Sequence, residues 1–236
     1  MTEVATHLLN FADKKRRGVS SRAYRTIIPS SNGTTFNCGN TINIDFAGNN
    51  PSTYFDFQSS YLQFTITNND GADIKLEGGV GGDGLIRKIE ALVSGQTLFS
   101  IDNYNVLLDY FMDSEVSSIF KDGTGQIQFG TDSLKFTGTT ITANGGTKKV
   151  CLPLVLTPLF QSSKLIPQFS RDQIRLKITL DNAATATIGG ATDAEIQISE
   201  VQMVMYNVEL SDEAQSMVMA SNNGMFEIVV DDFRHS

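Results

Sequence analysis

A chain of 236 residues with two cysteines, two histidines and no tryptophan has room for one large hydrophobic core. It lacks the residues from which disulfide frameworks, histidine-rich metal centres and Ser/His/Asp triads are assembled. Its net charge of −8 is uneven: Lys14, Lys15, Arg16, Arg17, Arg22 and Arg25 precede residue 26 against only Glu3 and Asp13, leaving 12 basic and 24 acidic residues for the remainder.

Residues 1–33 read as an arm. Val4, Leu8, Leu9 and Phe11 have roughly helical spacing and lead into Lys14-Lys15-Arg16-Arg17, a short amphipathic segment followed by a charge cluster. Three readings stay open: a solvated tail, a nuclear-import signal, or a segment facing nucleic acid or lipid, since clustered cations gain by displacing counterions from phosphates or by meeting anionic headgroups. No apolar window approaches the roughly 18 residues of a membrane span. The N-terminus also lacks the apolar core of a signal peptide, so the chain reads as soluble by itself.

Strands follow. Ile42, Ile44 and Phe46 alternate with polar neighbours over Asn40 to Phe46, and Leu62, Phe64 and Ile66 do so over Tyr61 to Thr67; period 2 is the mark of a strand with one buried face. Gly48-Asn49-Asn50-Pro51 is a turn between them. Gly79-Val80-Gly81-Gly82-Asp83-Gly84 has the letters of a dinucleotide loop but precedes a strand-like run, Leu85 to Val93, where a helix is needed, so it reads as a flexible loop. Ser94-Gly95 then closes a tight hairpin onto Gln96 to Ile101. Asp102 is placed to cap a helix reaching Met112, with Tyr104, Leu107, Leu108 and Phe111 on one face. Residues 121–147 read as a surface excursion of short β pieces, Gln126 to Phe129, Leu134 to Phe136 and Thr140 to Thr142.

The stretch from Lys148 to Asn182 organises the chain. Lys149 to Leu156 is an apolar run broken by Pro153, Thr157-Pro158 forces a corner, Phe160 to Phe169 is an apolar connector, and Ile174 to Leu180 alternates without a fault. Ile174, Leu176, Ile178 and Leu180 are expected inside, Arg175 and Lys177 outside. Prolines cannot donate to a ladder and belong at strand starts, bends or edges, so the pattern is strand, corner and return strand. Over Glu195 to Leu210 the apolar parity shifts at Ser199-Glu200, which predicts a bulge. Ser211 caps a second helix with Asp212 and Glu213 in its first turn, Gly224 closes it, and Met225 to Phe233 reads as a further strand. That strand either pairs back on the same sandwich or opens a longer protein.

Catalytic chemistry finds no foothold. His7 and His235 lie in opposite terminal segments, and Cys38 and Cys151 form no C-x-x-C pair, which points to core thiols or a reducing compartment. No nucleophile elbow and no phosphate-binding P-loop occur. No catalytic, cofactor or metal-binding residue is singled out, and the chain reads as a non-enzyme.

The order of these signals carries a resemblance. The strands Asn40 to Phe46 and Tyr61 to Thr67, "GLIRKIEALVSGQTLFSIDNYNVLLDYFMD" (Gly84 to Asp113), "VCLPLVLTPLFQSSKLIPQFSRDQIRLKITLDNA" (Val150 to Ala183) and "VELSDEAQSMVMASNNGMFEI" (Val208 to Ile228) resemble the N-terminal half of double jelly-roll major capsid proteins of polinton-like and adintovirus-like viruses and virophages. The resemblance implies an all-β jelly-roll sandwich of two antiparallel sheets of about four strands over residues 34–210, with one or two short helices. Residues 211–236 would then hold a short helix and the first strand of a second jelly roll. It also implies a viral structural subunit of an icosahedral virion, assembled in the host cytoplasm or nucleus. Its partners would be itself, as a homotrimer or higher capsomer, other capsid proteins, and genome or an inner membrane through Lys14, Lys15, Arg16, Arg17, Arg22 and Arg25. Leu107, Leu108 and Phe111 would belong to a subunit-packing helix.

Two other classes compete. A carbohydrate-binding sandwich of lectin type would gather aromatic and acidic residues at one loop end, and Tyr54, Phe55 and Phe57 beside Asp56 are the cluster on offer. A cupin-type enzyme would need a histidine-rich metal set, which two terminal histidines do not supply.

Overall fold

A computed structural model of the chain describes residues 21–46, 48, 50, 52–168 and 173–221. The calls that fall elsewhere, on Lys14, Lys15, Arg16, Arg17, the amphipathic segment before them, Gly224 and the strand from Met225, lie outside the described residues. In chain order the strands are β1 Ser21–Pro29, β2 Thr35–Asn37, β3 Thr41–Phe46, β4 Thr53–Asn68, β5 Ile74–Leu76, β6 Ile86–Val93 and β7 Gln96–Asp102, then β8 Thr140–Ile141, β9 Gly146–Leu152, β10 Ile166–Pro167, β11 Ile174–Leu180, β12 Thr187–Ile188 and β13 Ile196–Leu210.

Their pairing is nested. The first long strand joins the last (β1 with β13), β3 joins β11, β4 joins β9, and β6 joins β7, all antiparallel. Two sheets result. One runs β1, β13, β4, β10, with β2 also on β13 and β9 also on β4; the other runs β3, β11, β6, β7. Their inner faces meet in one core that takes Ile42, Ile44 and Phe46 from β3, Leu62, Phe64 and Ile66 from β4, and Leu176, Ile178 and Leu180 from β11. A small third sheet, β12, β5, β8, adds Ile74, Leu76 and Ile141 to that core.

The alternation of β11 holds as expected: Leu176, Ile178 and Leu180 are buried, Ile174 is half-buried against the core, and Arg175 is exposed. Its outward side chains join a charged ladder across the wet face, Arg175 Nη2 to Asp45 Oδ2 at 2.9 Å and Lys177 to Glu90 at 3.3 Å. The directly opposed register Arg175 with Asp45 and Lys177 with Glu90 places these partners side by side. Truncating the fully buried Leu176 to Ala is expected to lower stability by about 2–5 kcal/mol, read as an earlier denaturant midpoint. An unchanged midpoint would place Leu176 outside the core.

Turn chemistry also follows the sequence. Ser94 and Gly95 both take positive φ, 49° and 82°, as a two-residue hairpin loop between Val93 and Gln96 demands. The bulge in β13 sits at the expected place: the ladder to β4 slips between Ser199 and Gln202, and Glu200 has φ of 53°. The slip lets Ile196 and Ile198 on one side of it, and Val201, Met203 and Met205 on the other, all reach the core.

Four expectations are corrected. The arm to residue 33 does not stay free: Ser21–Pro29 is a sheet-edge strand, because its nine residues find a full ladder along Gln202 to Leu210. The Asp102 cap is replaced. The helix α1 spans Tyr104–Glu115 behind Asn103 in left-handed conformation with no side-chain cap, while Asp102 ends β7 and pairs with Lys88 at 3.2 Å. The β pieces Gln126 to Phe129 and Leu134 to Phe136 are instead a helical run over residues 118–128, kinked at Gly123, and a turn; side-chain anchoring to α1 overrides local β propensity. The glycine-rich loop is no flexible surface loop. Gly81–Leu85 is a buried 3₁₀ turn. A second helix, α2, spans Asp212–Ser221; it buries Ala214 and accepts the Tyr54 hydroxyl on Gln215 Oε1 at 2.6 Å.

Candidate assembly surface

Between α1 and β8 the chain leaves the sandwich over residues 117–139, and the glycine turn fixes where that insertion lies. Gly82 N–H donates to Phe129 O at 2.6 Å, Asp132 N–H donates to Gly78 O, and Gly78 N–H donates to Lys135 O, both at 2.8 Å. Backbone meets backbone so closely that a Cβ at Gly81, whose φ is +61°, would lie 2.3 Å from Phe129 O. Only glycine fits such an approach. Lys148 of β9 clamps the insertion from the other side, its Nζ donating to the carbonyls of Gln126 and Ile127 at 3.0 and 3.2 Å.

Charges lock the insertion to α1. Buried Lys121 reaches Asp113 at 2.7 Å, and Lys135 pairs with Asp109 and, at 3.7 Å, with Asp113. The hydrogen bond from Lys121 holds the Asp113 carboxyl below its ordinary range, and the bond to Asp109 raises the Lys135 ammonium. Asp122 Oδ1 accepts Ser133 N–H at 2.6 Å. Three segments that have little core of their own are thus fixed in one place.

The fixed surface is apolar. Of the large hydrophobic side chains that are exposed among the described residues, Val106, Tyr110, Ile119, Ile127, Leu134 and Phe136 all belong to α1 and the insertion, with Ile119 83% and Phe136 75% exposed. Leu134 and Phe136 flank Lys135, whose ammonium sits on Asp109, next to Tyr110, so the stretches that carry these side chains are tied to one another. Scattered exposed hydrophobics are ordinary, whereas a cluster on a rigid support marks a contact surface.

The residues singled out from the sequence divide accordingly. Leu108 is buried, and Leu107 and Phe111 are half-buried against the core; they dock α1 on its own sandwich, and the face α1 turns outward carries Val106 and Tyr110 instead. Arg22 and Arg25 lie on β1 opposite Glu209 and Tyr206, with the Arg22 guanidinium 5.9 Å from the Tyr24 ring centre. Tyr54, Phe55 and Phe57 are 3%, 4% and 1% exposed, which removes the aromatic cluster that a lectin reading needs. The outward apolar residues of the insertion escaped sequence reading because no periodicity separates them from core residues.

Two sheets ordered β1-β13-β4-β9 and β3-β11-β6-β7, with nested antiparallel pairing, define a jelly-roll sandwich. Solved structures share it. PBCV-1 VP54, as fitted into a reconstruction of the virophage Sputnik, matches with a TM-score of 0.57 at 14% identity over 88% of this chain and 46% of its own. The Faustovirus major capsid protein matches at 0.53, with 10% identity over 93% of this chain and 60% of its own. The Sputnik virophage structure matches at 0.50, with 13% identity over 82% and 48%. This chain spans about half the length of the proteins it matches. No protein-family model and no curated protein matches the sequence.

Proposed function

We propose that this chain is a viral major capsid protein or its jelly-roll portion, a structural subunit that self-associates through loops and sheet edges into capsomers and an icosahedral shell. The observation that carries the reading is the nested jelly-roll pairing, which aligns over 88% of the chain with VP54 and over 93% with the Faustovirus major capsid protein. A jelly roll gives a wedge with closed walls and variable loops, a shape that tiles when identical surfaces repeat about symmetry axes. The apolar insertion supplies the association surface.

In such a shell the basic residues, Lys14 to Arg17 with Arg22 and Arg25 on β1, face genome or an inner lipid layer. Negative-stain microscopy and light scattering of the purified chain test the reading: trimers, larger capsomers or shells are expected. Monomers alone at every concentration tried would overturn it. Removing residues 1–20 leaves β1 in place and tests the inner role, since assemblies of the shortened chain are expected to form without bound nucleic acid or lipid. For nucleic acid, binding to duplex DNA by the full chain is expected to fall with salt at a log–log slope of about 0.9 per phosphate neutralised.

A further inference from the structure

The geometry points to Asp83 as a protonation latch that holds the insertion, residues 117–139, against the sandwich. Asp83 sits in the middle of the Gly81–Leu85 turn, every residue of which is buried. It is 5% exposed, and its Oδ1 is enclosed without a hydrogen-bond partner. A carboxylate in that position would have neither water nor a cation to offset its charge.

The groups on the elements packed around the turn do not rescue it. Glu77 precedes the turn, Tyr104 and Asp109 stand on α1, Asp181 follows β11 and accepts a bond from Asn105 at 2.7 Å, and Lys148 on β9 is spent on the carbonyls of the insertion. Arg87, on β6, is exposed. Tyr104 is fully buried, and burial and the charge of Asp83 both raise its hydroxyl, so it brings no cation to the carboxylate. Burial therefore lifts the Asp83 carboxyl to about 8, and the closed turn holds it as the neutral acid.

The turn bonds the insertion through Gly82, and Gly78 just before it does so as well, whereas the framework strands hold one another through their own ladders. Opening the turn hydrates Asp83, which then titrates near its ordinary value of about 3.9. The proton favours the closed form. That advantage is complete at low pH, drains away as pH rises towards about 8, and is gone above it. Between these limits the opening equilibrium is expected to rise about tenfold per pH unit. The latch does not depend on the capsid reading, although the surface it holds is the apolar one described above.

Hydrogen exchange on the full chain between pH 5 and 9 tests it, with rates divided by the intrinsic rate at each pH. In the wild type, protection across residues 117–139 is expected to fall about tenfold per pH unit until about pH 8, while β4 and β13 stay protected. D83N, neutral at every pH, is expected to abolish that slope. K148M separates the clamp, whose ammonium burial pushes down, and is expected to keep it. An unchanged slope in D83N, or equal loss in β4 and β13, would overturn the latch. Should D83N fail to fold, carbon-13 NMR of the wild-type carboxyl decides: a midpoint near 8 supports the latch and one near 4 refutes it.

Discussion

Replacing Phe57 by alanine is expected to cost about 3–5 kcal/mol of stability, the largest loss expected from any single truncation considered. Phe57 is 1% exposed and lies at the centre of an aromatic group, with ring centres 5.4 Å from Phe46, 5.6 Å from Phe55 and 5.3 Å from Phe160. The contacts with Phe46 and Phe160 are edge-on, the geometry that sets the positive ring edge against the negative face. Three elements lose a shared partner at once, because these rings come from β3, β4 and the helical turn Pro158–Gln161 that closes the corner after β9. Phe136, 75% exposed on the insertion, is the control: its change to Ala should stay within about 0.5 kcal/mol. Denaturant midpoints of the two variants measure the difference. Similar midpoints would mean that the aromatic group is not the core of the sandwich, and would reopen a surface role for Phe55 and Phe57.

The second expected result concerns association. Changing Ile119, Ile127 and Phe136 together to serine is expected to leave the folded subunit intact and to abolish its self-assembly. All three are at least 75% exposed, so the folded monomer loses almost no buried area. A contact that buries such side chains between subunits loses tenfold or more in affinity for each anchor removed, at about 1–2 kcal/mol apiece. Light scattering across a concentration series is expected to show the variant as a stable monomer at concentrations where the wild type is expected to associate. Assembly at wild-type concentration would remove the insertion from the interface, and a lowered denaturation midpoint would show that the three side chains pack within the subunit instead.

Much of the sandwich was legible from the sequence. Period-2 runs in β3, β11 and the second half of β4 named their buried faces, and the slip at Ser199-Glu200 named a bulge, because a strand has only two faces and a core accepts only one of them. Ser94-Gly95 fixed a hairpin since two positive φ values in succession are costly for most residue pairs. Nothing local, however, encodes which strand joins which. The pairing of β1 with β13 spans nearly the whole described chain and depends on two edges that share no sequence signal. The first half of β4 shows the same limit. Its ladder to β13 slips between Val204 and Tyr206, so that odd-numbered Phe55 and Phe57 enter the same core as even-numbered Leu62, Phe64 and Ile66, and the alternation is broken where it would have been read.

The outward apolar side chains of α1 and the insertion were decided by tertiary structure alone. Exposed Ile119 and buried Ile89 are identical as letters, and only the packing of α1, the kinked run and the glycine turn sorts them. Asp83 differs for the same reason: within a glycine-rich stretch it looks like a solvated loop acid, and it is buried in a turn where Gly78 and Gly81 let the insertion's backbone approach closely. By itself the sequence determined the class of fold, through hydrophobic period and turn chemistry that act over a few residues. Strand order, the outward face of the insertion and the burial of Asp83 follow from contacts between residues far apart in the chain, where burial and close approach set the energies.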